Sequence, residues 1–138
     1  IDVLNPETPE GCARRLRYNA PLTHASIMFR MDFLRAFKAY STAYPAAEDY
    51  AMEFWANANG YRMGNVPQLL YRTIEMTESI SGGSRKRQLN SRLRLQWDYA
   101  DWTSIHTWLG LARTVALMVM PIGALRRIKS ALRGVMGK

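Results

Sequence analysis

A helix opened by two adjacent carboxylates and closed by a glycine constrains this chain more than any other stretch. Ala47-Glu48-Asp49-Tyr50 follows Pro45, and Gly60 ends the run. Acidic residues in a first helical turn meet unsatisfied N–H groups and the positive end of the helix dipole, so such a start forms readily. Tyr50, Phe54 and Ala58 then share one stripe, which Met52 and Trp55 broaden. The spacing predicts a core-facing helix from Ala47 to about Ala58, with Gly60 as the left-handed residue that stops it. By spacing alone, Glu48 and Asp49 need be no more than a capping pair.

Around this helix the chain reads as one domain with a distinct tail. Its 138 residues, 48% hydrophobic and 11% aromatic, are enough to bury a core. Residues 1–22 hold three of the six prolines and predict a loop with one helical turn near Glu10 to Leu16. His24 to Phe29 suits a short buried strand, and Asp32 can start a short helix through Phe37. Tyr61 to Tyr71 reads as extended chain around a turn at Asn65-Val66-Pro67. Gly82-Gly83 is expected to form a loop and to divide residues 1–81 from residues 82–138, and Ser84 to Trp97 is expected to be helical. The single cysteine, Cys12, excludes an internal disulfide and a cysteine-based zinc site, and it fits a surface or packing role in a reducing compartment.

Charge separates the two regions. Residues 1–80 carry eight basic and nine acidic side chains, whereas residues 81–138 carry eleven basic and two acidic ones. No acidic residue follows Asp101. Such asymmetry points to an anionic partner, either a membrane surface or nucleic acid. Ile105 to Val119 is apolar but interrupted by His106, Thr107, Arg113 and Thr114, and it falls short of the roughly 20 apolar residues of a bilayer crossing. Beyond Pro121, Ile122, Leu125, Ile128, Leu132 and Val135 recur beside Arg126, Arg127 and Arg133. That pattern fits a helix lying in a membrane interface, and equally a terminal helix packed on the domain. The start, Ile1-Asp2-Val3, lacks a methionine or signal segment and reads as a fragment or processed chain.

Four segments in order carry a resemblance: Asn19-Ala20-Pro21-Leu22-Thr23-His24-Ala25-Ser26-Ile27-Met28-Phe29-Arg30, Glu48-Asp49-Tyr50, Gly60-Tyr61-Arg62-Met63, and Val66-Pro67-Gln68-Leu69-Leu70-Tyr71-Arg72. Over about residues 18–81 the chain resembles the second, acceptor-side half of family-2 inverting glycosyltransferases of the GT-A fold. The resemblance implies an α/β class: the C-terminal portion of a GT-A nucleotide-diphospho-sugar transferase, with few strands plus helices, followed by a helical basic tail. It implies transfer of a sugar from a nucleotide-sugar donor to the hydroxyl of a sugar or lipid-linked acceptor, in cell-surface polysaccharide or lipopolysaccharide assembly. The site would be cytoplasmic, at the inner face of the membrane, with residues 105–138 in peripheral contact.

Carried over by position, Asp49 matches the catalytic base and Glu48 its neighbour, His24, Ser26 and Trp55 the acceptor pocket, and Arg72 the approach to the diphosphate. The family uses magnesium or manganese on the diphosphate, held by an Asp-x-Asp motif. No Asp-x-Asp occurs in these 138 residues, so no metal ligand is assigned and the chain alone is expected to be inactive. The loop after Arg72 reads Thr73-Ile74-Glu75-Met76-Thr77-Glu78-Ser79-Ile80-Ser81, without the family's His. Two other classes compete: a basic binding module that grips nucleic acid with help from Trp97, Tyr99, Trp102 and Trp108, and a degenerate transferase-like domain kept for protein interaction. The apolar Ile105–Val119 run disfavours nucleic acid.

Overall fold

A computed structural model describes residues 5–72 and 81–120, with the side chains of 81–84 excluded. Five α-helices follow in order: α1 (Pro9–Leu16), α2 (Met31–Ala36), α3 (Glu48–Ala58), α4 (Ser81–Asp98) and α5 (Ile105–Val119). A single 3-10 turn, His24–Ser26, lies between α1 and α2.

The α/β expectation is overturned, because the described residues contain helices and no strand. A strand needs a neighbour to pair with, and neither expected run finds one. The His24 run begins as a 3-10 turn, because Thr23 O accepts both the Ser26 N–H and the Ser26 hydroxyl at 2.9 Å. Ile27 and Arg30 keep extended dihedrals without a ladder. The Tyr61–Tyr71 run is irregular, tied to the N-terminal segment through the Asn65 N–H donating to Glu7 O at 3.3 Å. Part of their apolar surface stays in solvent, with Met28 97% and Leu70 73% exposed, while Ile27, Phe29, Tyr61 and Met63 pack on the core without pairing. The described chain is therefore not a portion of a GT-A sheet. Gly82-Gly83 lies within α4. Residues 73–80, with the altered loop, and 121–138, with the amphipathic stripe, lie outside the described residues.

The helices start and stop for local reasons. Thr8 caps α1, its Oγ1 accepting the Gly11 N–H at 3.1 Å, and Pro9 occupies the first turn, where its missing N–H costs nothing. At the end of α3, Gly60 takes φ +77°, the Tyr61 N–H donates to Ala56 O at 2.9 Å and the Gly60 N–H to Asn57 O at 3.2 Å. That paired closure satisfies two orphan carbonyls.

The C-terminal end of α1 is the hub of the fold. Its free carbonyls attract donors, cationic ones above all. Tyr50 OH donates to Leu16 O, Gln96 Nε2 to Arg17 O at 3.1 Å, and Arg92 and Arg113 both to Tyr18 O, the latter at 3.0 Å. These bonds bring α3, α4 and α5 around one turn. Cys12, Leu16, Phe33, Tyr50, Met52, Phe54 and Leu95 form the core between them. Cys12 is buried, its thiol donating to Pro6 O at 3.2 Å, and burial pushes its pKa up, so it packs rather than reacts.

α5 approaches this hub through Gly110. A Cβ there would overlap the Arg17 carbonyl oxygen and sit 2.9 Å from its carbon and 3.1 Å from Tyr18 Cα. Gly110→Ala is expected to destabilise the chain by about 2–3 kcal/mol, since backbone cannot give way as a side chain can. Urea denaturation measures this, and an unchanged midpoint would contradict the packing.

Candidate functional site

The first turn of α3 presents its carboxylates to a pocket, and an unusual backbone places them. Ala46 adopts φ +63°, a conformation that costs a residue with a Cβ about 1 kcal/mol or more. It is held there by its own N–H, which donates to Glu48 Oε1 at 2.8 Å. Glu48 is thus committed to the entry of α3. Asp49, next in the chain, remains 58% exposed at the side chain.

Asp49, Glu48 and His24 line one pocket of about 290 Å³ together with Glu53, Tyr50 and Arg92. His24 Nε2 lies 3.5 Å from Asp49 Oδ1 and 3.3 Å from Tyr40 OH. The Tyr40 pKa is raised by burial and by the Asp49 charge. The three side chains therefore form one polar group, of which His24 and Asp49 line the pocket. The 3-10 turn that replaced the expected strand is what carries His24 to Asp49.

Two charged-type residues that sequence reasoning left unassigned line the same pocket. Glu53 is 1% exposed, and burial pushes its carboxyl pKa up to about 8, with the Asp49 charge adding to the rise and a hydrogen bond from the Leu22 N–H opposing it. It is neutral at neutral pH. Arg92 reaches in from α4, its guanidinium 5.1 Å from the Tyr50 ring centroid and hydrogen-bonded to Asn19 Oδ1 at 3.1 Å. Burial lowers the Arg92 pKa and raises that of Tyr50 to about 12. The signal for Glu53 was present, since it stands four residues after Asp49 and so on the same helix face. Its position beside Phe54 on a core-facing helix concealed it.

The remaining expected site residues are placed elsewhere. Ser26 is exposed and spends its hydroxyl on Thr23 O within its own turn. Trp55 is half-buried in an aromatic cluster, with ring centroids 5.8 Å from Phe33, 5.2 Å from Phe37 and 5.9 Å from Tyr61. Arg72 is exposed at the end of the first described segment. None of the three lines the pocket. Among the described residues no group of three or more His, Cys, Asp or Glu is poised to hold a metal ion. The magnesium or manganese ion that the resemblance implies is expected in the complete enzyme, on ligands outside this sequence.

The pocket can therefore orient a polar ligand and accept a proton at its rim, where an exposed carboxylate stands beside an imidazole. Comparison of the chain with family models, with curated proteins and with solved structures gave no match.

Proposed function

We propose that the pocket serves the acceptor side of sugar transfer from a nucleotide-sugar donor, with Asp49 as the base. The observation that carries this reading is the exposed Asp49 carboxylate at the rim of a pocket, with His24 Nε2 at 3.5 Å. Transfer with inversion needs the acceptor hydroxyl to lose its proton as its oxygen attacks the anomeric carbon and the nucleoside diphosphate leaves. A carboxylate within hydrogen-bond reach takes that proton. His24 and Tyr40 orient the carboxylate, and Glu48 fixes the backbone that presents it.

The donor and a divalent ion have no assigned ligands in this sequence, which lacks Asp-x-Asp, and Arg72, the residue matched to the diphosphate, is exposed away from the pocket. The chain alone is expected to release no nucleoside diphosphate from a panel of nucleotide sugars. The same residues joined to an Asp-x-Asp-bearing donor domain are expected to release it only with an acceptor present. Turnover by the chain alone would overturn this division, and silence of the joined protein with lipid-linked and free saccharide acceptors would overturn the function.

Peripheral contact with the inner face of the cell membrane is the second part of the proposal, and α5 supports it. The helix buries Thr107, Gly110, Leu111 and Thr114 and turns Ile105, Trp108, Leu109, Val115, Met118 and Val119 outward. The polar stripe faces in and much of the apolar surface faces out, the reverse of an ordinary surface helix. Trp108 continues into a patch with Trp102 and Trp97, their rings 5.4 and 4.8 Å apart in succession. Exposed tryptophans and a region rich in Arg and Lys suit an anionic lipid interface. No helix among the described residues is long and apolar enough to cross a membrane. At 15 residues α5 spans about 22 Å, against a hydrocarbon core of about 30 Å. The chain is expected to float with anionic vesicles and to blue-shift its tryptophan fluorescence there. Binding to nucleic acid alone would reject the membrane in favour of a basic binding module.

A further inference from the structure

Buried polar atoms without partners are scarce in folded proteins, because each has given up its hydrogen bonds to water without a replacement. Four side-chain atoms stand in that condition among the described residues: His24 Nδ1, Glu53 Oε2, Arg92 Nε and Thr107 Oγ1. Three of the four belong to residues that line the pocket of Asp49. Scattered packing faults would not gather around one cavity. A polar ligand seated there, with a small adjustment of the lining, would satisfy groups that the chain leaves unsatisfied.

The chemistry of the lining specifies the ligand further. The Asp49 carboxylate can only accept hydrogen bonds, whereas Arg92 can only donate. Glu53, buried and neutral, carries an O–H and donates as well. Asp49 and Glu53 stand one helical turn apart, with about 5–6 Å between Cβ atoms at that spacing. A single hydroxyl oxygen can bridge that interval by accepting from the Glu53 O–H and donating to Asp49, so that both carboxyls are used. Simple anions cannot donate to Asp49, and an ammonium group, which only donates, would leave the Glu53 O–H without an acceptor.

We propose that Glu53 and Asp49 together form a hydroxyl-reading subsite for a pyranoside-sized polyol, in which one ligand hydroxyl accepts from the Glu53 carboxylic acid and donates to the Asp49 carboxylate. The inference rests on the acceptor role given to this pocket and adds the residue that selects and positions the reacting hydroxyl. Glu53 is a positioning residue for Asp49's substrate; ionised, it would repel Asp49 and lose its donor. The charged and titratable groups around it are Asp49 and Tyr50 on α3, Cys12 on α1, His24 on the 3-10 turn and Arg92 on α4.

The test is an NMR titration of the labelled 138-residue chain with methyl pyranosides of glucose, galactose and mannose, and with tetrahydropyran as a hydroxyl-free ring. At about pH 6, at least one glycoside is expected to shift the amides of residues 46–53 saturably, and tetrahydropyran is not. Glu53→Gln keeps a neutral donor of the same shape and should bind within about threefold of the parent. Glu53→Leu should weaken binding about tenfold or more, the loss of one buried hydrogen bond. Between pH 6 and about 9.5 the parent should lose affinity and Glu53→Gln should not, the other groups being common to both. Retained spectral dispersion verifies that each variant is folded. No glycoside binding, equal binding by Glu53→Leu, equal response to tetrahydropyran, or the same pH profile in parent and Glu53→Gln would each overturn the subsite. Failure of the base is separately visible, because glycoside binding would persist while Asp49→Asn still supported transfer.

Discussion

Asp49→Asn is expected to reduce sugar transfer by about 10²–10⁴-fold in a protein that carries both halves of the site, the range typical for loss of a positioned general base. The amide keeps the size of the carboxylate and one oxygen facing His24, so the pocket and the donor site should be undisturbed. What it loses is the capacity to take a proton from the attacking hydroxyl. The expected pattern is a collapse of kcat with KM for the nucleotide sugar nearly constant, since the interaction removed exists mainly in the transition state. Initial rates of nucleoside diphosphate release measure it. Glu48→Gln should fall less far, because the Glu48 oxygen that holds Ala46 N–H at 2.8 Å has an amide counterpart. Full transfer by Asp49→Asn would remove Asp49 from the role and leave the helix-capping explanation of the pair.

Glu53→Gln is expected to stabilise the fold at pH 7 by on the order of 2–3 kcal/mol, because the parent residue must stay protonated where an unfolded chain would ionise it. The folded pKa is raised, from 4.5 to about 8, so the folded state binds one more proton than the unfolded state between those values. Stability from this group is therefore greatest below the unfolded pKa, falls as pH rises through the interval, and levels off above about 8. The glutamine variant lacks the proton and should show a flat profile over the same range. Urea midpoints at pH 5 and pH 8 separate the two. A parent whose stability does not fall between them would show that Glu53 ionises freely.

A stability penalty at a pocket wall has a bearing on function. A buried acid held neutral weakens the fold at physiological pH, and leucine would fill the site without that cost. Retention of the acid is intelligible if the proton it keeps is used to hold a ligand hydroxyl. The left-handed Ala46 is a second local cost at the same place, spent on the presentation of Glu48 and Asp49.

Legibility in the sequence varied by element, for physical reasons. α3 was readable to within a residue, expected from Ala47 to about Ala58 and found from Glu48 to Ala58 with Gly60 beyond it, because its start, stripe and stop are all written within its own length. Near Glu10 to Leu16 only one helical turn within a loop was expected, whereas α1 runs from Pro9 to Leu16. The two expected strands were not readable, since a strand exists only by pairing and the His24 and Tyr61 runs carry no local mark of a partner. Of the expected site residues, Asp49, Glu48 and His24 meet at one pocket, while Trp55 joins an aromatic cluster.

α3, the carboxylate pair at its head and the basic excess after residue 80 follow from neighbours in the chain. Long-range packing set which face of α5 is buried. Thr107 and Thr114 looked like interruptions of an apolar run, yet they turn inward, with Thr114 Oγ1 donating to Gln96 Oε1 at 2.7 Å and Gly110 admitting the backbone of Arg17. Close backbone approach and a buried hydrogen bond outweighed hydrophobic patterning there. The same long-range packing placed Arg92 and His24 around Asp49 and sealed Glu53 from water, because burial and charge at a pocket belong to the assembled walls rather than to any one segment.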